Sequence, residues 1–190
     1  MSLSFSSGKA LAPEYEVVSS AFAREKSVTI AEVNCDVEKD LCSEYGVTGF
    51  PTVKFFSHGE KPEDYNGERK AQSIVDWINA RMGTKRQIDG KLPSDAGRIG
   101  ELDTLVAGFI GAENKAAVLV EAKAKVDKLE SPEAAKNRKY YIKVMEKTIE
   151  NKDYVTKEKQ RLTDILNGNS VHESKIDDFT VRLNILGAFN

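Results

Sequence analysis

Cys35 and Cys42 are the only thiols in this 190-residue chain. Proteins that exchange thiols for disulfides usually do so with a Cys-x-x-C pair, in which one thiolate attacks a substrate sulfur and its neighbour resolves the mixed disulfide. Asp36 to Leu41 stand between the two cysteines here, so that spacing is absent, and two cysteines are too few for a disulfide framework. His58 and His172 have no Cys or carboxylate partners at ligand spacing, which argues against a metal site. The chain shows no Ser/His/Asp arrangement, Gly-rich phosphate loop or dinucleotide fingerprint, so no cofactor is expected.

Composition narrows the remaining classes. With 28 Lys+Arg against 30 Asp+Glu and a net charge of -2, the chain has no global attraction to nucleic acid or an anionic membrane. No apolar run reaches the length of a spanning helix, so membrane insertion is not expected. The opening Met1-Ser-Leu-Ser-Phe-Ser-Ser-Gly8 lacks the basic and apolar regions of a signal peptide, and Leu186-Gly-Ala-Phe-Asn190 is not a KDEL-type ending. No Asn-x-Ser/Thr acceptor occurs either.

The elements that must position any site fall into two halves. From Lys9 to Gly83, helical and extended signals alternate, as in α/β chains. Leu11, Tyr15, Val18 and Phe22 share one helical face, and Pro13 is expected to kink that helix. Residues 28–34 read as a strand, 38–45 as a short helix, 52–57 as a second strand, His58-Gly59 as a turn and 64–66 as a short third strand. Ile74, Trp77, Ile78 and Arg81 place a closing helix, which Gly83 ends. Residues 84–100 read as a linker. Residues 101–190 then read as helices only, with stripes at Leu102, Leu105, Val106 and Phe109; at Ala117, Val118, Val120, Ala124 and Leu129; and at Tyr141, Val144, Met145 and Ile149. Ser131-Pro132 marks a helix start, and Val155, Leu162, Ile165 and Leu166 form a fourth helix. Ser170-x-x-Glu173 is a capping box for a fifth, which carries Ile176, Phe179, Leu183 and Leu186. Short connections between such helices predict a five-helix bundle.

Gly8-Lys-Ala-Leu-Ala-Pro-Glu-Tyr-Glu16 resembles the helix that follows the redox motif in thioredoxin-like domains of the protein disulfide isomerase family. Cys42-Ser-Glu-Tyr-Gly-Val-Thr-Gly-Phe-Pro-Thr52 resembles that family's loop into its cis-proline, and Tyr65-Asn-Gly-Glu-Arg69 its last strand and turn. Tyr140-Tyr-Ile-Lys-Val-Met-Glu146, Asp153-Tyr-Val155 and Arg182-Leu-Asn-Ile-Leu186 are similar to the all-helical D-type domain carried by some disulfide isomerases and by a small chaperone of the endoplasmic reticulum. The resemblance implies a partial thioredoxin-like domain over 1–83, a linker over 84–100 and a D-type domain over 101–190. The fold class is then α/β plus all-α.

Alignment on Lys9 puts Phe5-Ser-Ser-Gly8 where the family has its redox cysteines. The resemblance further implies that the first two strands are lacking, leaving a gap where the central strand belongs and a first domain that is marginal in isolation. That fits a truncated gene product better than an adaptation. No catalytic residue is expected. The family's substrate-binding loop falls on Phe50, Pro51 and Thr52, with Pro51 either cis or an ordinary strand-initiating proline. Arg69 matches an arginine that can swing toward the redox site, or it is a solvated turn residue. Cys35 and Cys42 match a structural disulfide of some members, with two half-buried free thiols or a catalytic pair as the alternatives. Tyr140, Tyr141 and Tyr154 line either a client-binding patch or the core. The implied function is that of a folding factor in the endoplasmic reticulum lumen, redox-inactive in this chain, with unfolded or folding secretory polypeptides as partners. The alternatives are a non-enzymatic escort or scaffold acting through the helical domain, as a homo-oligomer or on clients, and a reductase acting through the cysteine pair.

Overall fold

The computed structural model describes residues 2–5, 11–57, 61–127, 134–168 and 171–190. Ser6 to Ala10, the His58-Gly59 turn, Leu129, the Ser131-Pro132 helix start and Ser170 lie outside the described residues. Two units, Met1–Pro93 and Ser94–Asn190, make up the chain.

The first unit runs β1 (Ser2–Phe5), α1 (Ala12–Phe22), β2 (Thr29–Ile30), α2 (Lys39–Glu44), β3 (Val53–Phe56), β4 (Glu63–Asp64) and α3 (Ala71–Met82). Among the described residues, four strands form one sheet in the order β2-β1-β3-β4. β1 is parallel to β2, with Leu3 opposite Ile30, and antiparallel to β3, with Leu3 opposite Phe55 and Phe5 opposite Val53. This corrects the expected gap at the centre of the sheet, because Ser2–Phe5 occupies an interior position there. Ser-Leu-Ser-Phe does alternate with the period of a strand, but four residues are too few for the pattern to stand out. The expected strand over 28–34 pairs only at Thr29 and Ile30, and the one over 64–66 pairs at Glu63 and Asp64.

Pro13 stands in the first turn of α1, where its missing N–H costs nothing, so it starts the helix instead of kinking it. Val18, Ala21 and Phe22 of α1 pack with Ile74, Val75 and Ile78 of α3 and with Val53 and Phe55 of β3. Gly83 caps α3 in the left-handed conformation, at φ 65°, that favours glycine.

Residues 84–100, expected as a linker, are held in place. Arg86 is buried and donates from Nε and Nη2 to Glu25 Oε2 at 3.2 and 3.1 Å, while Arg24 Nη2 donates to Gly90 O at 2.6 Å. On the other side of the division, Ala96 is buried and its carbonyl accepts from Asn184 Nδ2. A Cβ on Gly97 would stand 2.3 Å from Val181 Cγ1, so only glycine allows that approach. A charged, Gly- and Pro-containing stretch looks like linker in sequence because its partners are 61 and 88 residues away.

The second unit contains, among the described residues, helices α4 (Gly100–Gly111), α5 (Lys115–Val126), α6 (Ala135–Glu150), α7 (Tyr154–Asn167) and α8 (Glu173–Leu186), followed by a 3-10 turn at Gly187–Phe189. Leu102, Val106, Phe109, Tyr141, Val144, Met145, Leu162, Ile185 and Leu186 fill its core. Ile149, expected on the buried face of its helix, is exposed, and so is Val120 of α5. α5 is fully buried only at Ala122, and its Val118, Leu119 and Val126 are partly covered. No helix among the described residues is long and apolar enough to cross a membrane.

Candidate functional site

The site is built around the start of α1. The Phe50-Pro51 peptide bond is cis. Thr52 Oγ1 donates to Gly49 O at 2.6 Å, bracing the loop just before β3 begins at Val53. Phe50 is 59% exposed, an unusual state for so large an apolar ring. Pro51, Gly67 and Arg69 line one hollow of about 700 Å³ together with Leu11 and Glu14. Three separate stretches of sequence therefore meet there.

Glu14 fixes the geometry of this meeting. Its Oε2 accepts from the backbone N–H of Ala71 at 2.7 Å, at the start of α3, and its Oε1 from Lys70 Nζ at 3.2 Å. A carboxylate at a helix N-terminus satisfies an orphan donor and complements the helix dipole. The Ala71 N–H first, and Lys70 second, hold the Glu14 carboxyl below its ordinary value of 4.5. A depressed folded-state value contributes stability that is present above pH 4.5 and lost as pH falls through the lower folded value. Glu14→Gln is therefore expected to unfold more easily at pH 7, and the gap from the parent to close in acid. Urea midpoints measured between pH 7 and pH 3 check this, and a gap that does not depend on pH would contradict it. Nothing in the sequence marks Glu14, because its partners lie 56 and 57 residues away.

Arg69 is exposed at the rim of the hollow. Cys35 and Cys42 are bonded to each other, with Cα atoms 5.7 Å apart, and both are buried. The bond links the segment after β2 to α2. Closing so short a loop restricts the unfolded chain modestly. Cys35→Ser with Cys42→Ser is thus expected to cost about 2–3 kcal/mol, read by urea unfolding, with the same fold retained. No group of three or more His, Cys, Asp or Glu side chains among the described residues could hold a metal ion.

The three tyrosines do not form an exposed patch. Tyr141 is fully buried, its hydroxyl donating to Asp103 Oδ1 and accepting from the Ile99 N–H. Tyr140 is buried too, and Tyr154 packs half-buried against the same core. Tyr140 and Tyr141 on α6 and Tyr154 at the start of α7 suit a core as well as a surface, and the apolar demand of the bundle wins.

Two family models match the chain, one described as Thioredoxin over residues 6–80 and one as Endoplasmic reticulum protein ERp29, C-terminal domain, over residues 97–189. Protein disulfide-isomerase erp38 of Neurospora crassa is 40% identical over 184 residues, covering 95% of this chain and 50% of the relative. Protein disulfide isomerase-like 2-2 of Oryza sativa subsp. japonica is 41% identical over 186 residues, covering 96% and 50%. Protein disulfide-isomerase 1 of Dictyostelium discoideum is 41% identical over 189 residues, covering 95% and 51%. The chain spans about half the length of these curated relatives. With a cis-proline loop just before β3, a second unit that is helical among the described residues and both family models in order, the chain belongs to the protein disulfide isomerase family, as a thioredoxin segment followed by an ERp29-type helical domain.

Proposed function

We propose that this chain is a folding factor of the endoplasmic reticulum lumen that holds extended segments of unfolded secretory polypeptides at the Phe50-Pro51-Thr52 loop and performs no thiol–disulfide exchange itself. The observation that carries the proposal is the meeting of cis-Pro51 and Arg69 on one hollow while both cysteines are spent on a buried bond. A thiolate is the nucleophile of exchange, and serine cannot form the mixed disulfide in its place. The compartment is inferred from the family, and an oxidising lumen suits the Cys35–Cys42 bond. The two units are proposed to fold separately.

The expected result is insulin reduction no faster than buffer, unchanged in Cys35→Ser, together with suppression of aggregation of a reduced, unfolded client. Phe50→Ser should weaken that suppression by about 1 kcal/mol of binding, without loss of stability, because the ring is already exposed. Turnover that disappears in Cys35→Ser would instead establish a reductase.

A further inference from the structure

A second binding surface lies on the helical unit, where α6 faces α8. Lys136, Lys139, Tyr140 and Lys143 recur at helical spacing along one face of α6, and Asp178 and Arg182 along the facing side of α8. These side chains line an open cleft of about 170 Å³, with Val181 and Ile185 as its apolar wall. Four cations thus surround one carboxylate. That carboxylate, Asp178, is already engaged by Lys136 and by Arg182, whose Nη2 lies 2.9 Å from it. Glu158, the acidic group on the neighbouring α7, is taken up by Arg161 at 2.7 Å. Among the described residues, Lys139 and Lys143 are exposed and form no salt bridge, although Lys143 is close enough to Glu158 to help lower its carboxyl.

Arg182 is held in place from below as well as from the side. Its guanidinium stands 5.3 Å from the Tyr140 ring and 5.9 Å from the Phe179 ring, a cation–π arrangement that fixes a charged fork at the cleft mouth. The Tyr140 hydroxyl is buried without a hydrogen-bond partner, so the ring serves as an apolar floor. Stacked guanidinium, flexible ammonium groups and an apolar wall suit carboxylate side chains presented on a polypeptide. A bare phosphate would leave the apolar wall unused.

We propose that this cleft docks an acidic, extended segment of a partner protein, independently of client holding at the cis-proline loop. Surface charge of this kind acts mainly on encounter rate and specificity, and it weakens with salt. The test is a fluorescence-anisotropy titration of the full chain with a labelled ten-residue peptide of alternating Glu and Phe, against a Lys and Phe peptide of equal length. The acidic peptide alone is expected to bind, at least tenfold more weakly in Lys139→Glu/Lys143→Glu. Affinity should be unchanged in Lys139→Arg/Lys143→Arg and in Lys125→Glu, whose site on α5 lies outside the cleft. All three variants change exposed residues, and circular dichroism confirms their fold. Equal losses in Lys125→Glu, no loss in the double variant, or displacement of the peptide by inorganic phosphate or a short RNA at equal charge would each overturn the proposal.

Discussion

Tyr141→Ala is expected to unfold the helical unit while leaving the fluorescence of Trp77 unchanged. Tyr141 is 0% exposed and lies with its ring centroid 6.4 Å from that of Phe189, which in turn stands edge-on to Phe109. Its removal empties the place where α6, α4 and the C-terminal turn meet. Aromatic-to-alanine changes in a core cost about 3–5 kcal/mol, against a typical domain stability of about 5–15 kcal/mol. The hydroxyl adds a second cost, because its loss strips Asp103 and the Ile99 N–H of a shared partner and leaves Asp103 to Arg98 alone, 3.0 Å away. Tyr141→Phe keeps the ring and should lose only about 1–2 kcal/mol. Trp77 is the only tryptophan and sits in α3, so its emission reports on the first unit alone. A Tyr141→Ala chain with its full helical circular dichroism would refute this account of the core.

Tyr141 also sets an alkaline limit. Burial first, then the hydrogen bond to Asp103, pushes its phenol well above the ordinary value of 10.0, and burial does the same to Tyr15 and Tyr140. A group whose folded-state value is raised contributes stability that is intact below the unfolded value and lost as pH rises above it. The chain should therefore weaken from about pH 10 upward, before these buried phenols ionise in the folded state.

What the sequence reveals depends on how local the determining contacts are. α3 is readable from Ile74, Trp77 and Ile78 because helical periodicity is a property of neighbours, and Gly83 marks its end for the same reason. Val120 and Ile149 satisfy the same periodicity yet face solvent, since a stripe says that a helix has an apolar side without saying how many helices will cover it. Arg86 carries the composition of a loop and is nonetheless buried against Glu25. At the site, Phe50, Pro51 and Arg69 emerge from a family likeness in which motif order does the work. Glu14 stays hidden, because a carboxylate at the third residue of a helix looks like any solvated side chain until the start of α3 is brought to it. Tyr141 was open between surface and core for a related reason, as one tyrosine looks the same in either place.

Ile74→Ala makes the complementary cut, and its expected effect is the loss of the first unit with the helical unit intact. Ile74 is 0% exposed among α1, α3 and β3, and isoleucine-to-alanine changes in cores cost about 2–5 kcal/mol. The unit is expected to have little stability to spare. β2 and β4, at the two edges of its sheet, are two residues long each. Small domains bury a smaller share of their surface and are correspondingly marginal, and short edge strands contribute few ladder hydrogen bonds. Trp77, whose ring stands edge-on to Phe55 and Tyr65 at 5.1 Å, should shift its emission to the red as those contacts are lost. Most of the helical signal should remain, because α4 to α8 keep their own core. In the parent chain, Trp77 fluorescence is expected to change at lower urea than helical circular dichroism. Coincident transitions in the parent and simultaneous loss in both variants would mean that one cooperative core spans Met1–Pro93 and Ser94–Asn190, and the separate folding of the two units would have to be abandoned.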